Sequence, residues 1–283
     1  MATILKGSEV TAAMNAELTE RVNILKSENI TPCLAIVRVG ERGDDISYEK
    51  GAEKRCAGIG ISVIKYTIPE SSTQDELLDV IYDINKSDEI HGCLMFRPLP
   101  KHFDEEVVRN ALCPEKDVDG ITDGSLAGVY AGEDKGFPPC TAAACMEILD
   151  HYGIDLKGKK ATVIGRSLVI GKPAAMMLLK KNATVTICHT RTVDMPAVCR
   201  EAEVLIVAAG RAKIVGKEYF SEGQTVIDVG INVDENGNLC GDVNFEEAEN
   251  IVSAITPVPG GVGTVTTAVL AKHVVEAAER TLK

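Results

Sequence analysis

The sequence predicts an α/β protein of two domains, each built on a mostly parallel sheet. Short β-branched runs alternate with helical spacings along the chain. The 283 residues are long for one hydrophobic core and comfortable for two. Between 113 and 140 the texture turns rich in Gly, Asp and Pro, which reads as a loop-rich junction. The boundary is placed near its end, giving one domain over 1–137 together with a terminal helix 266–283, and a second over 138–265.

Val10, Met14, Leu18, Val22 and Leu25 follow helical spacing, and Cys33–Val39 is a short apolar run suited to a buried strand. Residues 46–58 read as helix and 61–68 as strand. Thr73 with Glu76 makes a capping box that opens a helix to about Asn85. Gly92–Phe96 is a third strand, stopped by Arg97-Pro98-Leu99-Pro100. Thr141 is expected to N-cap a helix running to about Tyr152. A second series follows: strand 161–164, helix 171–181, strand 184–188, helix near 195–201, strands 204–207 and 225–229, and an amphipathic helix over 265–281.

Composition limits the function. A formal net charge of −12 argues against a nucleic-acid partner, which needs a basic face. No run approaches the roughly 20 apolar residues that span a bilayer, and the N-terminus has the character of neither a signal nor a transit peptide. The nine cysteines include no C-x-x-C pair and no metal-ligand spacing, so reduced thiols in a cytoplasmic protein, with no bound metal, are expected.

The strand ending at Gly165 is followed by Arg166-Ser167, then Gly171-Lys172-Pro173 and an apolar helix. Strand, glycine turn and helix start together form an anion site, where backbone N–H groups meet a pyrophosphate. The spacing is G-x5-G, and a plain glycine turn between strand and helix would look similar. The next strand ends at Cys188-His189-Thr190-Arg191, where a Rossmann-like unit meets the adenosine ribose. An acid there would favour NAD. A hydroxyl with Arg191 and Arg166 suits a 2′-phosphate, so NADP is expected, although an arginine can also hold a separate anion beside NAD. Near the C-terminus, Thr256-Pro-Val-Pro-Gly-Gly-Val-Gly263 combines prolines and glycines that fix an unusual path able to pass close to a flat ligand.

These strings, with Tyr48, Pro98-Leu99-Pro100, Pro114-Glu-Lys-Asp-Val-Asp-Gly120, Pro139-Cys140-Thr141, Ile227-Asp-Val-Gly-Ile-Asn232 and Gly241-Asp242-Val243, resemble the methylenetetrahydrofolate dehydrogenase/methenyltetrahydrofolate cyclohydrolase family over nearly the whole length. The resemblance implies an N-terminal folate-binding domain, a C-terminal Rossmann-like dinucleotide-binding domain across a cleft, and a homodimer. It implies that Tyr48 lies against a tetrahydrofolate derivative and that Asp119 bonds its pterin ring. Phe96 and the loop Pro259, Gly260, Gly261, Val262 and Gly263 would line the folate side. Gly165, Arg166, Ser167, Thr190, Arg191 and Ile231 would hold the cofactor.

Two departures from the family pattern bear on activity. The family's Tyr-x-x-x-Lys has Ala52 in the lysine position, and its Gln before Leu-Pro-Leu-Pro is Phe96. Hydride removal gives a cation shared by two nitrogens and needs alignment more than a protein base. Hydrolysis of the methenyl carbon needs activated water and a group that moves protons. A dehydrogenase with cyclohydrolase lost is therefore expected, the alternative being that another group, such as Arg55 or an ordered water, rescues hydrolysis. The alternatives are the bifunctional enzyme, the NAD-dependent form, and a catalytically silent dinucleotide sensor. The retained Tyr48 and Asp119 speak against silence. A short-chain dehydrogenase reading of Tyr48 fails on the missing lysine and the order of motifs.

Overall fold

The computed structural model describes residues 1–282. In chain order the elements are β1 (Thr3–Ile4), α1 (Gly7–Ser27), β2 (Cys33–Val39), α2 (Gly43–Ile59), β3 (Ser62–Ile68), α3 (Gln74–Lys86), β4 (Gly92–Met95), α4 (Glu105–Ala111), α5 (Asp123–Ala131) and α6 (Cys140–His151). They continue with β5 (Lys160–Ile164), α7 (Gly171–Lys180), β6 (Thr184–Cys188), α8 (Met195–Arg200), β7 (Val204–Val207), β8 (Thr225–Asp228), β9 (Asn232–Val233), β10 (Leu239–Cys240), α9 (Phe245–Ala248), β11 (Ala254–Ile255) and α10 (Val262–Glu279). The chain is a two-domain α/β fold, with compact units of 13–140 plus the chain from Thr267, and of 1–12 plus 141–266.

In the first unit, three parallel strands lie in the order β3-β2-β4. Every residue of the central β2 is buried, which explains its unbroken apolar run. Cys33, Ala35, Val37 and Val39 pack with Leu77, Ile81 and Ile84 of α3. The capping box at α3 is formed on both sides: Glu76 N–H donates to Thr73 Oγ1 at 3.3 Å, and Thr73 N–H to Glu76 Oε2 at 2.8 Å.

In the second unit, six parallel strands lie in the order β1-β11-β8-β7-β5-β6. The order reverses at β5, and ligands of such sheets sit outside the carboxyl ends of the strands at that switch point. Leu205, Val207, Val226 and Ile255 are among the buried residues of its core. The opening strand β1 joins this sheet by pairing with β11.

Two local expectations are corrected. The segment 113–140 is not loop alone: Thr122 caps α5 by accepting from Ser125 N–H at 3.0 Å, and Gly132 ends it at φ +73°. Its glycines obscured the helical pattern. Helix α6 begins at Cys140, so Thr141 lies inside the first turn instead of capping it. Pro138 and Pro139 stand just before that start, and the fixed φ of proline suits a helix entry. No described helix is long and apolar enough to cross a membrane, and all nine cysteines are free.

Candidate active site

The first unit brings Tyr48, Phe96 and Asp119 into one neighbourhood. Tyr48 projects from α2, and its ring meets Phe96, just past β4, edge-on with centroids 5.8 Å apart and planes at 83°. Burial holds the Tyr48 phenol protonated far above its ordinary range, and Cys140 and Asp119 add to the effect. Asp119 rides a loop pinned from both sides. The buried Asp117 carboxylate accepts from Ile121 N–H at 2.9 Å and Thr122 N–H at 2.8 Å. The Val118 carbonyl accepts from Cys140 Sγ at 3.2 Å and from His273 Nδ1 at 2.8 Å. Burial pushes His273 down to about 4, so its ring is neutral and the carbonyl fixes the proton on Nδ1.

Burial pushes the Asp119 carboxyl up to about 6, against a lowering pull from the Cys140 thiol and Arg97, and Asp117 adds to the rise. A carboxyl so placed changes charge near neutral pH, as hydrogen-bonding groups of active sites commonly do. Ala52, one helical turn beyond Tyr48, is buried at 1% exposure and brings no proton-moving group. Arg55 does not stand in for it by any bond to Tyr48 or Asp119: its Nε donates to Thr267 Oγ1 at 3.2 Å and its Nη1 to Asn15 Oδ1 at 3.1 Å. Lys50 and Lys54 are exposed.

In the second unit the turn after β5 is built for close approach. Gly165 has φ +129°, and a Cβ on Gly171 would lie 2.6 Å from Arg166 N, so α7 can start here only with glycine. No side chain caps α7, which leaves its N-terminal dipole available to an anion. Ser167 Oγ accepts from Ile170 N–H at 3.1 Å, holding the turn closed. Ile164 pairs with Cys188, so the Gly165 turn and the Thr190–Arg191 turn leave adjacent strands at the carboxyl edge. Gly165 N–H also donates to the Cys188 carbonyl at 2.9 Å. Arg166, Thr190 and Arg191 are exposed.

The same unit places the Pro259–Gly263 loop beside Ile231. A pocket of about 200 Å³ is lined by 228–231, Leu239 and 257–264. Gly260 takes φ +102°, and a Cβ on Gly263 would touch Ile231 Cδ1 at 3.3 Å. Two carboxylates that the motif reading left without roles shape this region. Asp228 accepts from Gly230 N–H at 2.9 Å, Asp242 N–H at 3.1 Å and Val243 N–H at 3.0 Å. Asp242 accepts from Ala209, Gly210 and Arg211 N–H at 2.6, 2.9 and 2.8 Å, and from Asn232 Nδ2 at 2.9 Å. Thr256 Oγ1 accepts from Asp228 N–H at 2.8 Å. Cys140 and His273 were likewise without roles. Their only signal was the Pro-Cys-Thr string, because the partners lie far apart in sequence.

Residues 5–119 match the family model of the tetrahydrofolate dehydrogenase/cyclohydrolase catalytic domain. Residues 139–282 match that of the NAD(P)-binding domain of the same family. The bifunctional protein FolD of Clostridioides difficile is 53% identical over 274 residues, covering 97% of this chain and 96% of the relative. That of Carboxydothermus hydrogenoformans is 53% identical over 281 residues, covering 99% and 98%. Among solved structures, the bifunctional FolD of Campylobacter jejuni superposes with a TM-score of 0.96 at 40% identity, covering 99% of this chain and 100% of that one. The Trypanosoma brucei methylenetetrahydrofolate dehydrogenase-cyclohydrolase, complexed with NADP cofactor and inhibitor, gives 0.91 at 32% identity, covering 100% and 99%. The chain belongs to the tetrahydrofolate dehydrogenase/cyclohydrolase family.

Proposed function

We propose that this protein is an NADP-dependent 5,10-methylenetetrahydrofolate dehydrogenase that yields 5,10-methenyltetrahydrofolate and has lost most or all cyclohydrolase activity. The observation that carries the reading is the pairing of retained and missing groups in one neighbourhood. Tyr48 and Asp119 are kept, whereas the position one turn past Tyr48 is a buried alanine and the ring packed on Tyr48 is Phe96.

The residues present fit a dinucleotide. The uncapped start of α7, the close approach at Gly171 and the hydroxyls of Ser167 and Thr190 suit a pyrophosphate and ribose. Arg166 and Arg191 supply positive charge for a 2′-phosphate, with no carboxylate in ion-pair contact with either among the described residues. When bound, the cofactor accepts a hydride at its nicotinamide ring. Ile231 and the Gly260–Gly263 loop would lie against the flat ligands, and their rigid path limits the orientations available.

On the folate side, the Tyr48 ring would support the substrate and ionised Asp119 would accept hydrogen bonds from the pterin. Phe96 would present an apolar edge near the reacting carbon. Neither Ala52 nor Phe96 can activate water or relay a proton, and Arg55, held on Asn15 and Thr267, is a poor base because arginine stays protonated. The closely related relatives named as bifunctional support the second reading, retention of both activities. One experiment separates them. Methylenetetrahydrofolate and NADP are supplied, nicotinamide reduction is followed, and the methenyl product is monitored. Accumulation of methenyltetrahydrofolate at the rate of cofactor reduction is expected; its rapid enzyme-dependent disappearance would establish the bifunctional enzyme instead.

A further inference from the structure

The buried face of α2 carries Asp45, Glu49, Ala52, Cys56 and Ile59, so two carboxylates interrupt an apolar stripe at its N-terminal end. Glu49 is fully engaged. Its Oε2 accepts from Arg38 Nε at 2.9 Å, and its Oε1 lies 3.5 Å from Lys65 Nζ. Asp45 is not engaged in this way. The residue is 8% exposed, yet its carboxylate accepts no hydrogen bond among the described residues. Its one ion pair is a loose contact, 3.8 Å from Nε of the exposed Arg42. Among the described residues only Gln224 Oε1 is a sealed side-chain polar atom without a bond, so the Asp45 oxygens open onto accessible space. A buried carboxylate short of donors costs stability. The helix dipole offsets part of that cost, but the exposed Asp44 beside it gains the same benefit without burial.

The surroundings of Asp45 are those of the candidate site. Helix α2 follows β2 and Phe96 follows β4, its sheet neighbour, so both enter at the carboxyl edge of the parallel sheet. Asp45 and Tyr48, three residues apart, are neighbours on the helix surface. The Tyr48 ring meets Phe96, and Arg42 Nη1 donates to the Pro98 carbonyl at 3.2 Å. Asp45 thus stands among the groups that tie α2 to the 96–98 turn. Ala52, seven residues on, points the same way within about 20° and lies about 10 Å farther along the axis. Arg38 and Glu49 cancel as a buried pair, which leaves Asp45 and the solvated Arg42 to set the local charge.

We infer that Asp45 supplies the negative charge that stabilises the methenyl cation, so that the site prefers a cationic one-carbon folate over a neutral one. The inference rests on the proposed dehydrogenase reading. In that reaction the hydride leaves the methylene carbon with its electron pair for the oxidised nicotinamide. The folate is oxidised, the nicotinamide is reduced, and no proton moves. The carbon and its two flanking nitrogens are left sharing one positive charge. The methylene substrate has no such charge, so an anion facing the carbon gains its attraction only as hydride departs, which is the form of binding that accelerates a step.

The test measures binding of methenyltetrahydrofolate and tetrahydrofolate, at one pH and without cofactor, by calorimetry. Wild type is expected to hold the methenyl form at least tenfold more tightly. Asp45→Asn should weaken the methenyl form about tenfold and leave tetrahydrofolate within about twofold, the scale of losing one favourable charge contact. Asp45→Glu should keep part of the preference, and Arg42→Gln, which removes the competing cation, should widen it about twofold. A purely structural role in the first turn of α2 would weaken both ligands alike. In the NADP-reduction assay Asp45→Asn should lower kcat about tenfold with little change in KM for methylenetetrahydrofolate. Thermal melting reports whether each variant is folded. Should Asp45→Asn melt early, Asp45→Ser and the exposed Arg42→Gln carry the test. A wild type without preference for the methenyl form, or a preference unaltered in folded variants, overturns the role of Asp45 alone. Binding of neither folate would overturn the functional reading and this role with it.

Discussion

The ring of Phe96 abuts the ring of Tyr48 edge-on, at 5.8 Å between centroids. This places an apolar edge beside Tyr48, and the proposed loss of hydrolysis rests on that edge together with the buried Ala52 one helical turn on. The pair is favourable in its own right, since edge-to-face aromatic contacts contribute about 0.5–1.5 kcal/mol beyond their buried area. Loss of a positioned acid/base costs about 10²–10⁴-fold. Hydrolysis of added methenyltetrahydrofolate by the wild type should therefore stand little above the buffer rate. Ala52→Lys with Phe96→Gln is expected to raise it at least tenfold, while either change alone does less. Wild-type hydrolysis matching the dehydrogenase rate would show that another group performs the step.

Much of this neighbourhood was legible in the sequence, for identifiable reasons. The buried strand Cys33–Val39 and the capping box at Thr73 are local patterns, and they appear as read. Tyr48 and Asp119 stand out as candidates through the short strings that carry them. What joins them was not legible. Cys140 and His273 meet the Val118 carbonyl across sequence separations of 22 and 155 residues, and no periodicity reports such a meeting. The two-residue strand β1 is too short to carry a pattern, and α5 was hidden by its glycines. The charge state of Asp119 depends on burial, which composition does not reveal.

That charge state gives a pH prediction. Burial raises Asp119 to about 6, and the titratable groups around it are Asp117, Cys140, Tyr48 and Arg97. Above pH 6 the carboxylate is ionised and, on the proposed reading, would accept from the pterin. As pH falls through 6 it gains a proton, and KM for the folate should rise. Asp119→Asn should abolish this inflection. For stability the sign is opposite. A raised folded pKa favours the folded state at low pH, and that benefit is lost as pH rises from about 3.8 through about 6. Asp119→Asn should therefore melt higher than wild type at pH 8, by at most about 3 kcal/mol. A folate KM that is flat between pH 5 and 8 would remove Asp119 from the binding site.

The arginines predict cofactor choice. Arg166 and Arg191 leave adjacent strand ends and are exposed with no acid paired to them. Charge-assisted bonds to a phosphate contribute about 1.5–3 kcal/mol each, so kcat/KM should favour NADP over NAD by tenfold or more. Arg191→Ala and Arg166→Ala should each lower that ratio, chiefly through the KM of NADP, and leave NAD kinetics nearly unchanged. Equal use of both cofactors, with a ratio indifferent to either substitution, would assign the arginines to the solvent.

Asp242 ties together two segments at the carboxyl edge of the second unit's sheet. Its two oxygens receive four donors, three of them backbone N–H groups of Ala209–Arg211, the segment that follows β7 at the carboxyl edge next to Gly165. The fourth comes from Asn232, adjacent to Ile231. Asp228 gathers Gly230, the Asp242 backbone and Val243 in the same way. Substituting Asp242→Asn would turn an NH₂ group toward those donors, leaving buried N–H groups unpaired at about 1–3 kcal/mol each. At roughly 2–4 °C per kcal/mol for a protein of this size, a drop in Tm of about 5–10 °C is expected. Because the displaced segments flank the β5 switch point, KM for NADP should rise severalfold while KM for the folate changes less. Adding saturating NADP should recover part of the lost Tm, since a ligand that binds only the folded state stabilises it by mass action. A variant that melts like wild type and keeps its NADP KM would show that these bonds do not position the cofactor loop.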